Sequence, residues 1–146
     1  MKQLKLFIVT LLVAALSGCG TTNTVPITGR KQNLLVSDGE MLSLSTQQYQ
    51  EFMKTAKLST NANNTAMVKR VGERLASAVV TYLKANGMAN EVANYKWTFN
   101  LVQDKQVNAW CMPGGLIVVY EGLLPVTQNE ASLAIVLGHE IAHAVA

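Results

Sequence analysis

The sequence contains two histidines, His139 and His143, and both fall in the segment His139-Glu140-Ile141-Ala142-His143. Four residues make about one turn of an α-helix, so on a helix both imidazoles leave the same face, about 6 Å apart at Cβ. Neutral imidazole nitrogens bind zinc at about 2.0–2.1 Å, and this spacing suits a shared Zn²⁺. Glu140 follows the first histidine directly. It can reach a water on the metal without entering the metal's own shell, and a carboxylate there can accept a proton and return it to a leaving amine. The chemistry implied is metal-assisted hydrolysis of a peptide bond. The alternative, polar helix residues with no metal, is the weaker one. The surrounding helix is apolar on nearly every side, and burying three ionisable groups costs several kcal/mol unless they are paired or metal-bound.

Positioning that turn requires a scaffold. Thr127-Gln128-Asn129-Glu130 has the serine/threonine-x-x-glutamate form of a capping box and predicts a helix starting near Gln128 and running through Leu133, Ile135, Val136 and Leu137. Upstream, Trp97, Phe99 and Leu101 alternate with Thr98 and Asn100, predicting a half-buried strand, and Leu116-Ile117-Val118-Val119-Tyr120 predicts a second. Pro113, Gly114 and Gly115 between them demand a turn, which suggests a short antiparallel sheet. Ser37 and Glu40 form another capping box ahead of a helix over 38–57 with a stripe of Leu42, Tyr49, Phe52 and Met53. A further helix over 65–85 places Val68, Val71, Leu75, Val79 and Tyr82 on one face, with Gly87 as its left-handed stop. The fold class is α+β, with helices around a small sheet and the histidine-bearing helix last.

The chain of 146 residues suits one domain. It opens MKQLK, followed by an apolar run over residues 6–16 and small residues before Cys19, the layout of a secretory signal. As a helix that run reaches only about 16 Å, against about 30 Å of hydrocarbon, so cleavage is expected rather than a permanent span. Leu16-Ser17-Gly18-Cys19 resembles a bacterial lipobox, which implies a signal over 1–18, lipid on Cys19 and a lipidated tether and docking segment over 19–36 that lacks regular patterning. Several acyl chains hold a protein on a bilayer where one is marginal. Gly20 stands where an aspartate retains lipoproteins at the inner membrane, which points to the outer membrane, facing the periplasm. The net charge of +3 falls to +1 once Lys2 and Lys5 leave with the signal. No basic run interleaved with aromatics suggests nucleic acid. With Cys19 lipidated, Cys111 has no disulfide partner; an inert buried thiol is the plain reading, and a third zinc ligand the other.

The run Asn108-Ala109-Trp110-Cys111-Met112-Pro113-Gly114-Gly115-Leu116-Ile117-Val118-Val119-Tyr120-Glu121-Gly122-Leu123-Leu124, then Asn129-Glu130-Ala131 and Gly138-His139-Glu140-Ile141-Ala142-His143, resembles the HtpX and CAAX prenyl endopeptidase family of zinc metallopeptidases. Val25-Pro26-Ile27-Thr28-Gly29-Arg30 and Leu35-Val36-Ser37 are similar to the opening segment of its soluble lipoprotein or periplasmic members, which serve outer-membrane protein quality control. The resemblance implies a zincin-like domain over 37–146, His139 and His143 as zinc ligands and Glu140 as general base. It also implies a cleft in which an extended substrate adds beside Leu116 and Val118, with Asn108, Gly114 and Gly115 shaping the wall. In this family the third zinc ligand is a glutamate on a later helix, here expected beyond residue 146, with Glu121 or Glu130 as weaker substitutes. The residues are thus expected to be the N-terminal part of a zinc metalloendopeptidase that cleaves proteins of the bacterial cell envelope, by themselves weakly active or inactive. The rival is a lipid-anchored, non-catalytic binding or chaperone-like module.

Overall fold

The computed structural model describes residues 21–24, 29 and 31–145. The expected signal over 1–18 and Cys19 lie outside the described residues. Among those described, no helix is long and apolar enough to cross a membrane. Strands β1 (Thr21–Thr24) and β2 (Lys31–Leu34) pair antiparallel, Thr21 across from Leu34. The segment expected to lack regular structure is therefore a hairpin, held by backbone pairing that needs no apolar alternation.

Helix α1 (Asp38–Thr55) begins at the expected capping box: the Glu40 amide donates to Ser37 Oγ at 3.3 Å, and the Ser37 amide donates to the Glu40 carboxylate at 3.0 Å. The Ser37 hydroxyl also donates to the Glu40 carboxylate, at 2.7 Å, and this bond first and that from the Ser37 amide second hold the Glu40 carboxyl below its usual range. Helix α2 (Ala62–Ala85) starts three residues earlier than its apolar pattern suggests, because the Asn61 side chain accepts from the Asn64 amide at 3.0 Å. Its buried face is Val68, Val71, Gly72, Ala76 and Leu83, while Tyr82 is exposed. Gly87 takes the expected positive φ of 76° past the helix end.

Strands β3 (Thr98–Val102), β4 (Ala109–Met112) and β5 (Leu116–Tyr120) form one sheet in the order β3-β5-β4. It is mixed rather than antiparallel: β5 runs parallel to β3 and antiparallel to β4. Both faces of β5 are covered, which explains its unbroken LIVVY run. On one face Val102, Val118 and Tyr120 pack with Trp110 against Tyr49, Phe52 and Met53 of α1. On the other, Phe99, Leu101, Ile117 and Val119 pack against α2 and the last helix, α4 (Glu130–Val145). A four-residue helical turn, α3 (Leu124–Thr127), leads into α4.

Gly72 lets α2 lie directly on the sheet, since a Cβ there would stand 2.2 Å from Phe99 Cδ1. Gly39, also helical, meets nothing within 4 Å. Gly72→Ala is therefore expected to lower unfolding stability by about 1–3 kcal/mol through overpacking. Gly39→Ala should leave it unchanged or slightly higher, and urea denaturation of the two variants checks the contrast.

Candidate metal centre

The expected cap at Thr127 does not form. Thr127 is buried and its hydroxyl donates to the Leu124 carbonyl at 3.2 Å, while Gln128 turns to φ 64°. Asn129 takes over: its Oδ1 accepts from the Ser132 amide at 2.9 Å, and α4 starts at Glu130. Glu130 is ion-paired with Arg70 of α2, which holds the Glu130 carboxyl low and the Arg70 guanidinium high. The start of α4 is thus tied to α2 by polar groups that no periodicity reveals.

Leu133, Leu137, Ile141 and Val145 recur every four residues and are all buried. That stripe fixes the rotation of α4. A residue two places on from a stripe member lies about 200° around the helix, so His139 and His143 face outward, and both are exposed. The two histidines are therefore not buried, contrary to the expectation from the apolar run. The helix is apolar on its seam, and Ile135 on the histidine side is itself 75% exposed. The metal assignment rests on geometry. The two rings stand at 88° with centroids 4.5 Å apart, and their Nε2 atoms are 3.0 Å from each other. A tetrahedral zinc with nitrogens at about 2.0–2.1 Å holds two ligand nitrogens about 3.3 Å apart. The pair fits a shared ion after a shift of a few tenths of an ångström.

Glu140 lies three places past Leu137, at the edge of the seam, and is half-buried. Its carboxylate lies near enough to Cys111 of β4 to act on the thiol. Burial first, and the nearby Glu140 carboxylate second, push the Cys111 thiol up to about 12. No group of three histidine, cysteine, aspartate or glutamate side chains among the described residues is arranged to hold a metal. Cys111 is not a third ligand with the two histidines. Nor are the upstream carboxylates. Glu121 accepts from the Ser59 hydroxyl, and Glu130 is engaged with Arg70 nine residues before His139, about 13 Å along the helix. Sequence reasoning missed Cys111 as a neighbour of Glu140, because only the pairing of β4 with β5 and its packing on α4 brings them together.

The expected substrate strand also needs correction. Leu116 and Val118 are buried on β5, which is paired on both sides, so no further strand can add there. The outer edge of β3 is engaged by residues 57–59: Ser59 donates to the Leu101 carbonyl at 2.8 Å and Gln103 to that of Lys57 at 2.7 Å. The outer edge of β4 is different. Tyr120 donates to the Asn108 carbonyl at 3.0 Å, and the antiparallel alternation then turns the backbone groups of Ala109 and Cys111 away from β5. Asn108 is exposed at the start of this edge, and Gly114 and Gly115, at φ 90° and 80°, close its other end. Gly115 is pressed on Trp97, where a Cβ would come within 2.7 Å of the ring.

A sequence model of peptidase family M48 matches residues 61–146. The chain belongs to that family. It is 33% identical over 125 residues to the mitochondrial metalloendopeptidase OMA1 of Schizosaccharomyces pombe, an alignment that takes in 84% of this chain and 34% of the relative. To the human mitochondrial metalloendopeptidase OMA1 it is 30% identical over 120 residues, 82% of this chain and 22% of the relative. To the β-barrel assembly-enhancing protease of Escherichia coli it is 26% identical over 149 residues, 97% of this chain and 28% of the relative. The chain spans about a third or less of the length of these relatives.

Zinc titration of the purified protein is expected to show uptake that is lost in the His139→Ala, His143→Ala double variant and unchanged in Cys111→Ala. Equal loss in the cysteine variant would place the thiol in the metal shell. Asn129→Ala should cost about 1 kcal/mol in unfolding stability as the cap of α4 is removed, read by thermal denaturation.

Proposed function

We propose that this chain carries the active-site helix of a zinc-dependent metalloendopeptidase that cleaves proteins of the bacterial cell envelope. The convergence of His139 and His143 Nε2 at 3.0 Å, with Glu140 between them in sequence, carries the reading. His139 and His143 would hold the ion, and the third protein ligand would come from outside the described residues. Zinc in such a site supplies Lewis-acid polarisation of the scissile carbonyl and of water.

The remaining work falls to the chain's own groups. Glu140, at the inner edge of the histidine face, accepts a proton from the attacking water and passes it to the leaving amine. The open backbone edge at Ala109 and Cys111 offers an amide and a carbonyl each to an extended peptide, which would bind as a fourth strand beside β4. Ala109 and Cys111 present small side chains on the α4 face of the sheet. Because only two ligands lie among the described residues, residues 19–146 alone are expected to cleave casein poorly or not at all.

Finer features belong to the same proposal. The motif over residues 108–124 supports a place near the HtpX and CAAX prenyl endopeptidases. The lipobox at Cys19 supports anchoring on the periplasmic side of the outer membrane, and the likeness to an Escherichia coli protease over 97% of the chain agrees with an envelope role. Several relatives are mitochondrial by name, so the compartment rests on the N-terminal residues of this sequence.

In the complete protein, Glu140→Gln is expected to retain zinc and lose about 10²–10⁴-fold in casein cleavage, the usual contribution of a positioned acid–base group. Undiminished cleavage by a zinc-loaded Glu140→Gln protein would remove Glu140 from the mechanism. The His139→Ala, His143→Ala variant should lose both metal and activity; a client function that survives it would favour the non-catalytic module.

A further inference from the structure

Resting on the lipid-anchor reading of Cys19, we propose that the N-terminal end of α1 is a membrane-contacting face, with Leu35, Met41 and Leu44 seated in the bilayer interface. The register of the N-terminal hairpin carries the inference. Cys19 precedes Thr21 by two residues, at most about 7 Å of chain. Thr21 pairs across from Leu34, about 5 Å away. The lipid attachment point therefore lies within about 12 Å of the end of β2, and α1 begins four residues later at Asp38. The hairpin returns the chain to its anchor before the domain starts, so the first turns of α1 are held at the membrane surface instead of at the end of an extended tether.

The side chains at that end match the location. Leu35 is 96% exposed, Met41 39% and Leu44 50%. Leu44 is only about 9 Å along the helix axis from Asp38. Beyond it every exposed position of α1, from Thr46 to Thr55, is polar. Exposed apolar side chains on this helix are thus confined to the two turns nearest the anchor. Clustered exposed apolar groups mark an interaction surface, and an interfacial helix buries such groups about 5–10 Å into the headgroup boundary.

The local charge says which kind of lipid contact this is. Asp38 and Glu40 occupy the same first turn, and Lys31 sits at the opposite end of the hairpin, across from Thr24. In the first turn of α1 itself the described charges are acidic, and the proposed contact is made by the apolar side chains. Neutral phosphatidylcholine should serve as well as an anionic mixture. Since α1 covers the sheet face opposite α4, this seating directs the histidine face into the aqueous space.

The test uses the full-length protein produced with its lipid, in a Cys111→Ser background, reconstituted in phosphatidylcholine vesicles. Nitroxides are placed singly at Leu35→Cys, Met41→Cys and Leu44→Cys, with Gln48→Cys and Tyr82→Cys as water-facing controls. The ratio of collisions with oxygen to collisions with chromium oxalate should be several-fold higher at the three apolar sites than at the controls. Equal ratios, or low access to both reagents as a covering protein segment would produce, overturn the proposal. Mass spectrometry of the N-terminal peptide separates the two readings. Lipid on Cys19 with equal ratios sinks the membrane face alone, whereas an unmodified Cys19 sinks the anchor and this face with it.

Discussion

The seam of Leu133, Leu137, Ile141 and Val145, buried in one cluster with Val68 and Val71 of α2 and with the inner face of the sheet, is the contact on which the rest of the site depends. Each fully buried aliphatic contributes on the order of 1.5–3 kcal/mol, so rotating α4 away from this seam would forfeit more than any surface interaction could restore. With the seam fixed, the rotation of every other residue follows. Positions two places on from the seam point outward, which is where both histidines stand. The position three places on from Leu137 lies at the seam's margin, where Glu140 meets β4. An apolar repeat of four and a histidine repeat of four, offset by two, separate structure from chemistry on a single helix.

The sheet supplies the second half of the site by elimination. Strand β5 is buried on both faces and paired on both edges, so it can serve only as the frame. The outer edge of β3 is engaged by residues 57–59. The backbone of Ala109 and Cys111 on β4 is left facing outward beside α4. Trp110, between them, points to the other face, where its indole donates to the Tyr120 hydroxyl at 3.2 Å and its ring meets Phe52 edge-on at 5.1 Å. The grip of α1 on Trp110 thereby steadies the strand whose other face looks toward Glu140.

Much of this was legible in the residues. One helix start and one helix stop follow from local chemistry: Ser37 with Glu40 works as written, and Gly87 stops α2 because the chain needs a positive φ there. The Thr127 box failed because burial turned its hydroxyl to the Leu124 carbonyl and left the cap to Asn129. Tyr82 fitted the helical period but lost its place in the core to Leu83, one residue on, because the period alone leaves the edges of an apolar stripe undetermined. The pairing of residues 21–24 with 31–34 carries no alternation that could announce it, since backbone pairing alone defines it.

The spacing of His139, Glu140 and His143 is a property of one helical turn, so the residue types and their order along the chain determined that two imidazoles would converge and that a carboxylate would stand between them. Which way that turn faces is a different matter. Local sequence cannot distinguish a histidine buried in an apolar helix from one on the outer side of a helix whose other side is buried. Packing on the sheet decided it, as it decided that β4 and not β5 offers the open edge and that Cys111 stands beside Glu140. Strand order and helix rotation arise from contacts between residues tens of positions apart, and those contacts exist only once the chain has folded.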